Sequence, residues 1–162
     1  MHTNMPQSGA AERAKGTDIG TAQYATFYVH NLLFGIDVQK VQEIIRYQQI
    51  TLVPCAPSVV EGLINLRGQI ITAIDLRRRL GLPARETDKL PMNVVVHTAD
   101  GVVSLLVDKI GDVLEAQKYR FEPAPDTLQG AFKDLVKGVF KLQDSLLLVL
   151  DTELVSEISS VI

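Results

Sequence analysis

Two stretches of this chain repeat one another at a spacing of 76 residues without a gap. Gly62-Leu-Ile-Asn-Leu-Arg-Gly-Gln-Ile-Ile-Thr-Ala-Ile-Asp75 aligns with Gly138-Val-Phe-Lys-Leu-Gln-Asp-Ser-Leu-Leu-Leu-Val-Leu-Asp151, glycine to glycine and aspartate to aspartate. Leu63, Ile64, Leu66, Ile70, Ile71, Ala73 and Ile74 each face an apolar residue in the second copy. A weaker match sets Lys40-Val-Gln-Glu-Ile44 against Lys109-Ile-Gly-Asp-Val113, 69 residues on. Duplicated units of this size bury too little apolar surface to stand alone, so two copies must share burial. Amphipathic hairpins meet that need by closing into small barrels packed against one another.

The rest of the pattern agrees with strands. Apolar residues recur with a period of two, as alternating faces of a sheet require. Tyr24 to Val29 is aromatic and β-branched, and Ile36, Val38 and Val41 continue a segment after Gly35. Val41 to Arg46 fits either a strand or a short helical turn. Three hairpins are expected. Leu63 to Leu66 and Ile70 to Ile74 turn at Arg67-Gly68, Asn93 to His97 and Val102 to Val107 turn at Ala99-Asp100-Gly101, and Val139 to Leu142 and Leu146 to Leu150 turn at Gln143-Asp144-Ser145. Helix is scarce: Leu76 to Leu80 before Gly81 and Pro83, and a stretch within Thr127 to Val136. Asp75 and Asp151 occupy equivalent places and read as caps for the segment after each hairpin rather than as a catalytic carboxylate pair. Residues 1–22 read as a flexible tail, 23–158 as the ordered region, and 159–162 as a C-terminal tail. Within the ordered region, approximately 23–85 and 92–158 are the two barrels, joined by a charged linker at 82–91, with exchange of strands between them allowed.

Chemistry is hard to find. His2, His30 and His97 lack ligand spacing on any one element, and the single Cys55 sits between Pro54 and Pro57 with nothing local to activate it. No glycine-rich phosphate loop follows a strand. No catalytic residue, metal site or cofactor is therefore assigned. The net charge of -3 gives no drive toward nucleic acid, and Arg77-Arg78-Arg79 reads as a solvated helix face with cations near a helix C-terminus. The longest apolar run, Leu146 to Leu150, is far short of the roughly 18 residues that span a bilayer. With no apolar segment of the secretory kind at the N-terminus, the expected compartment is the cytoplasm. Arg67 stands out. Gln143 replaces it in the second copy, so the hairpin itself does not demand arginine. A guanidinium fork at a hairpin tip suits a partner's carboxylate, and an ordinary solvated arginine is the plainer reading of the residues alone.

Several of these segments resemble the CheW-like family of chemotaxis adaptors. Phe34-Gly-Ile-Asp-Val-Gln-Lys-Val-Gln-Glu-Ile44 is similar to its N-terminal signature, and Val53-Pro-Cys-Ala-Pro-Ser-Val-Val-Glu-Gly-Leu-Ile-Asn-Leu-Arg-Gly68 to its most specific block. Val107 to Val113 and Gly138 to Leu142 match later ones, so the resemblance runs from about Tyr24 to Val155. It implies a mainly β fold of two SH3-like five-stranded barrels side by side with a few short helices. It further implies a non-enzymatic adaptor joining the helical-hairpin tips of chemoreceptors to the regulatory domain of a CheA-type histidine kinase, recruited to membrane-associated receptor arrays. Val41, Glu43 and Arg67 are the receptor-binding positions that carry over, with Val41 at the centre of an apolar strip; no kinase-contacting residue carries over. The same fold serves other chemosensory pathways, and a small nucleic-acid-binding barrel is the remote alternative. Cys55 stands where the family often has asparagine, and Thr72 where it often has proline.

Overall fold

A computed structural model describes residues 23–158, so the expected tails 1–22 and 159–162 lie outside the described residues. The first half of the chain forms β1 (Gln23–Val29), β2 (Leu32–Asp37), β3 (Val41–Ile45), β4 (Val60–Leu66), β5 (Gln69–Asp75) and a short helix α1 (Leu76–Arg79). The second half forms β6 (Met92–Thr98), β7 (Gly101–Val107), β8 (Lys109–Glu115), β9 (Phe121–Pro123), α2 (Ala131–Leu135), β10 (Val136–Lys141), β11 (Leu146–Leu150) and α3 (Thr152–Ser156). The duplication is more extensive than the sequence pattern alone reveals. The β1–β3 segment recurs as β6–β8 at the 69-residue spacing, with Gln23 matching Met92, and β4, β5 and α1 recur as β10, β11 and α3 at the 76-residue spacing. Even the irregularities repeat. Val60 pairs with Ile74 and Gly62 with Ala73, leaving a bulge at Glu61, while Val136 pairs with Leu150 and Gly138 with Val149, leaving one at Lys137.

Neither half of the chain builds a sheet by itself. One sheet runs β3-β6-β7-β5-β4 and the other β8-β1-β2-β11-β10-β9. Each half therefore gives its first two strands to the other half's sheet. The joints are the parallel ladders β5–β7 and β2–β11 and the antiparallel ladders β3–β6 and β1–β8. Side chains then sort into three apolar layers. Phe27, Phe34, Ile36, Val94, Val96, Leu105 and their neighbours form the core shared between the sheets. Ile64, Leu66, Ile71, Val95 and Leu106 fill the concave side of the five-stranded sheet, and Tyr24, Phe140, Leu147 and Val149 fill that of the six-stranded one.

The two packed sheets bear out the expected mainly β fold of two barrel-like subdomains side by side, although neither sheet closes continuously and one has six strands rather than five. In the five-stranded sheet the gap is crossed by one bridge, Thr51 with Leu63, with N–H to carbonyl distances of 2.8 Å each way. In the other, β9 adds as a sixth strand on β10. These crossings explain the glycine that opens each repeat. A Cβ on Gly62 would collide with the Thr51 carbonyl, and one on Gly138 with the Phe121 ring and the Glu122 carbonyl. Only glycine lets the closing segment lie on the backbone there.

Three local readings change. The segment expected after Gly35 starts earlier, because His30 and Asn31 take positive φ (61° and 109°) and make a tight turn from β1 into β2. After β2 comes a 3-10 turn at Val38–Lys40, capped by the Asp37 carboxylate on Gln39 N–H, and Val41–Ile45 is strand rather than helical turn. The Arg77–Arg79 cluster is not a solvated face. Each guanidinium fastens α1 to something different, in an order set by the helical turn. Arg77 bonds Asp108 (Nη2 to Oδ2 2.7 Å) and the Pro83 carbonyl, Arg78 pairs with Glu61 (2.7 Å), and Arg79 donates to the Leu154 and Val155 carbonyls at the end of α3. Last-turn carbonyls lack helical partners, so a cation there supplies donors and meets the negative end of the dipole. The 82–91 segment is likewise held, through Arg85 to Asp108 (3.2 Å) and Asp75 (3.5 Å). Asp75 and Asp151 do cap α1 and α3, accepting from Arg77 N–H and Leu154 N–H.

Asp108 sits at the hub of these ties. Burial disfavours its charge, but the Arg77 guanidinium, the His30 N–H and Arg85 outweigh burial and hold the carboxyl below the ordinary carboxylate range. A carboxyl more acidic in the folded than in the unfolded chain stabilises the fold above its unfolded pKa, near 4, and that stabilisation is lost as pH falls through the folded value. Urea midpoints should therefore fall between about pH 4 and pH 2 more steeply for the parent than for Asp108→Asn; parallel curves would show that the hub carries no linked stability. Gly138→Ala should lose about 2 kcal/mol or more in urea denaturation, and an unchanged midpoint would mean that β9 does not press on β10.

Candidate functional site

Arg67 and Glu43 are brought together by the curl of the five-stranded sheet, although their strands stand at opposite ends of its order. Arg67 occupies the tip of the β4–β5 hairpin with φ 52°, followed by Gly68 at φ 88°. Two successive positive φ values are what a tight two-residue hairpin requires, and glycine, asparagine and aspartate meet that requirement most readily. Arginine there works against backbone preference, at a cost of about 1–2 kcal/mol. The turn is held instead by Asn65, whose Oδ1 accepts from Gly68 N–H at 2.9 Å. Each member of Asn-Leu-Arg-Gly thus has a place: Asn65 ties the turn, Leu66 enters the core, Gly68 allows the bend and Arg67 points its fork outward.

That fork is already occupied. Arg67 Nη2 lies 2.6 Å and 2.8 Å from the two carboxylate oxygens of Glu43, and Nη1 lies 3.2 Å from Oε1. The Glu43 side chain is 22% exposed and that of Arg67 67%, so the carboxylate is recessed while the guanidinium forms the rim. The free fork expected for a partner's carboxylate is, in the isolated chain, a clasp across the open edge of the sheet.

Val41 lies two residues from Glu43 but on the other face. The register of β3 on β6 slips between them, so Val41 pairs with Val96 and Glu43 with Val95. Residues paired across an antiparallel ladder share a face, and Val96 belongs to the shared core whereas Val95 fills the concave side. The bulge at Gln42 therefore sends Val41, half-buried, against the shared core and Glu43 toward the barrel mouth. The three predicted residues thus divide into a bonded pair and a neighbouring apolar contact rather than one continuous strip. Sequence reasoning missed Ile44 and Ile70, which lie on the same elements and are 39% and 60% exposed. Their repeat counterparts, Val113 and Leu146, are exposed as well, a coincidence legible only once both spacings of the duplication are known.

The second copy has no such clasp. Asp112 and Gln143 stand at the positions of Glu43 and Arg67, and there the rim is joined by β9 and by Lys141 with Glu122 at 3.2 Å. An ion pair this exposed gains little from charge alone, although bidentate geometry places it at the upper end of surface pairs. A double-mutant cycle on Glu43→Gln and Arg67→Gln should give a stability coupling of about 0.5–1 kcal/mol that shrinks in molar salt; coupling near zero would show that the clasp does not fasten the rim.

A protein-family model for the CheW-like domain matches residues 23–159. Chemotaxis protein CheW of Treponema pallidum is 32% identical over 133 residues, covering 80% of this chain and 78% of that protein. The protein of the same name from Bacillus subtilis is 31% identical over 129 residues, covering 80% and 83%. Among solved structures, the scaffolding protein TtCheW of Thermoanaerobacter tengcongensis superposes with a TM-score of 0.76 at 28% identity, covering 85% of this chain and 93% of that one.

Proposed function

The chain belongs to the CheW-like domain family, and on that footing we propose that the Glu43–Arg67 clasp, with Val41 on the opposite side of the same edge strand β3, forms the rim by which this chemotaxis adaptor engages a chemoreceptor. The adaptor couples receptors to a CheA-type histidine kinase by binding rather than by bond-making. The observation that carries the site is the arginine kept at a left-handed hairpin position, with its guanidinium at the rim and its orientation fixed by a recessed carboxylate. Residues held against backbone preference concentrate where a partner uses them.

The clasp orients without exhausting the guanidinium. Glu43 takes donors from Nη1 and Nη2, and the Nε–H is left for an acceptor on the receptor helix. Because the fork is already set, less side-chain entropy is lost on docking than for a free arginine. Val41 supplies apolar contact at the edge of the shared core, as helix-in-groove recognition requires. One such contact gives an affinity of about micromolar, or about -8 kcal/mol, and repetition in an array raises avidity without any new contact. Signalling then needs only unequal affinity for two receptor–kinase states. No helix among the described residues is long and apolar enough to cross a membrane. The adaptor works at the cytoplasmic tips of receptors, held to the membrane by them.

Arg67→Glu places two carboxylates at the rim and should weaken binding of a receptor cytoplasmic fragment by about tenfold or more, equal to 1.4 kcal/mol. The clasp contributes little to stability, so the variant should still unfold cooperatively within a few degrees of the parent. Undiminished capture by a folded Arg67→Glu protein would remove this residue from the interface.

A further inference from the structure

At the far end of β2 from the 3-10 turn that leads into β3, about 20 Å along the strand, lies a recess of about 740 Å³. Its walls are the β1–β2 turn, the start of β8 and the held segment around Pro83 to Leu90. Nothing in the receptor-binding face uses it. Arg77, Arg85, Lys89 and Lys109 line it, against the carboxylates of Asp108 and Glu86, so cations outnumber anions there in a chain whose net charge is -3.

The excess is not an accident of counting. Arg77 and Arg85 share the Asp108 carboxylate, and the buried Arg85 Nη2 stands 3.5 Å from Asp75 without a hydrogen bond, so these acids are taken up at the floor. Among the described residues the lysines in ion pairs are Lys40, Lys118 and Lys141, not Lys89 or Lys109. Lys109 instead stands 5.7 Å from the centre of the Tyr28 ring. Tyr28, Pro83 and Leu90, the last 65% exposed, also line the recess. A volume in the range of small-molecule sites, apolar lining residues and two ammonium groups without a carboxylate partner among the described residues describe a complement to a compact aromatic anion.

We propose that this recess binds a small aromatic phosphate, of the class of aryl or nucleoside phosphates, with the phosphate between Lys89 and Lys109 and the ring against Tyr28 and Leu90. Lysine ammonium groups act as adaptable point charges toward phosphate, and the fixed Arg77–Asp108–Arg85 floor leaves them oriented by their surroundings rather than by a partner acid. Occupancy would join the 82–91 segment to the β1–β2 turn, two elements otherwise linked through Asp108.

Phenyl phosphate, phenol and inorganic phosphate, titrated into the full chain and followed by calorimetry and amide chemical shifts, separate the two halves of the claim. Phenyl phosphate should bind with Kd below about 1 mM, at least tenfold tighter than phenol or phosphate, and more weakly as NaCl is raised. Lys89→Glu combined with Lys109→Glu should abolish that binding while receptor capture through Arg67 persists, which also shows the variant folded. The proposal is overturned if phenyl phosphate binds no tighter than inorganic phosphate, or if the double variant binds it as well as the parent.

Discussion

The two parallel ladders, β5 beside β7 and β2 beside β11, each sew a hairpin of one half of the chain to a hairpin of the other. Everything else in the molecule depends on that exchange. A half containing only its own strands would leave the apolar faces of β1, β2, β6 and β7 without the hairpins they pack beside, and the shared core draws buried side chains from both halves. Parallel pairing needs a long connection, which the chain supplies for β5 and β7 as the segment from α1 through β6, and for β2 and β11 as everything from β3 to β10. The arginines of α1 and the acid at Asp108 secure the first of these connections, so charges that resemble surface decoration in sequence lie at the joint between sheets.

Duplication created two equivalent rims, and they have diverged physically. One is joined by a backbone strand, the other by a side-chain clasp and a single bridge. Backbone pairing spends its donors and acceptors internally. A clasp leaves a charged, partly exposed group at the surface, available to a partner while already oriented. This asymmetry gives the receptor-binding reading its physical sense: the rim that lacks a closing strand is the one that presents Arg67.

Much of this was legible in the chain itself. The strict spacing of Gly62 to Asp75 against Gly138 to Asp151 announced duplicated hairpins, because side-chain alternation and turn chemistry are local properties that survive translation along the sequence. The caps at Asp75 and Asp151, the hairpin at Asp100-Gly101 and the family resemblance of Phe34 to Ile44 and Val53 to Gly68 rest on the same local grammar. Val41, Glu43 and Arg67 could be named as positions. Which sheet each strand joins, and that Arg67 meets Glu43 while Val41 faces away, could not be read there. Those depend on the one-residue bulge at Gln42 and on the curl of a sheet, both settled by packing between residues far apart in the chain. The fate of Arg77 to Arg79 was hidden for the same reason: their partners at Asp108, Glu61 and the end of α3 are adjacent only after folding. Periodicity is written residue by residue, whereas partnership is decided when distant surfaces compete for the same burial.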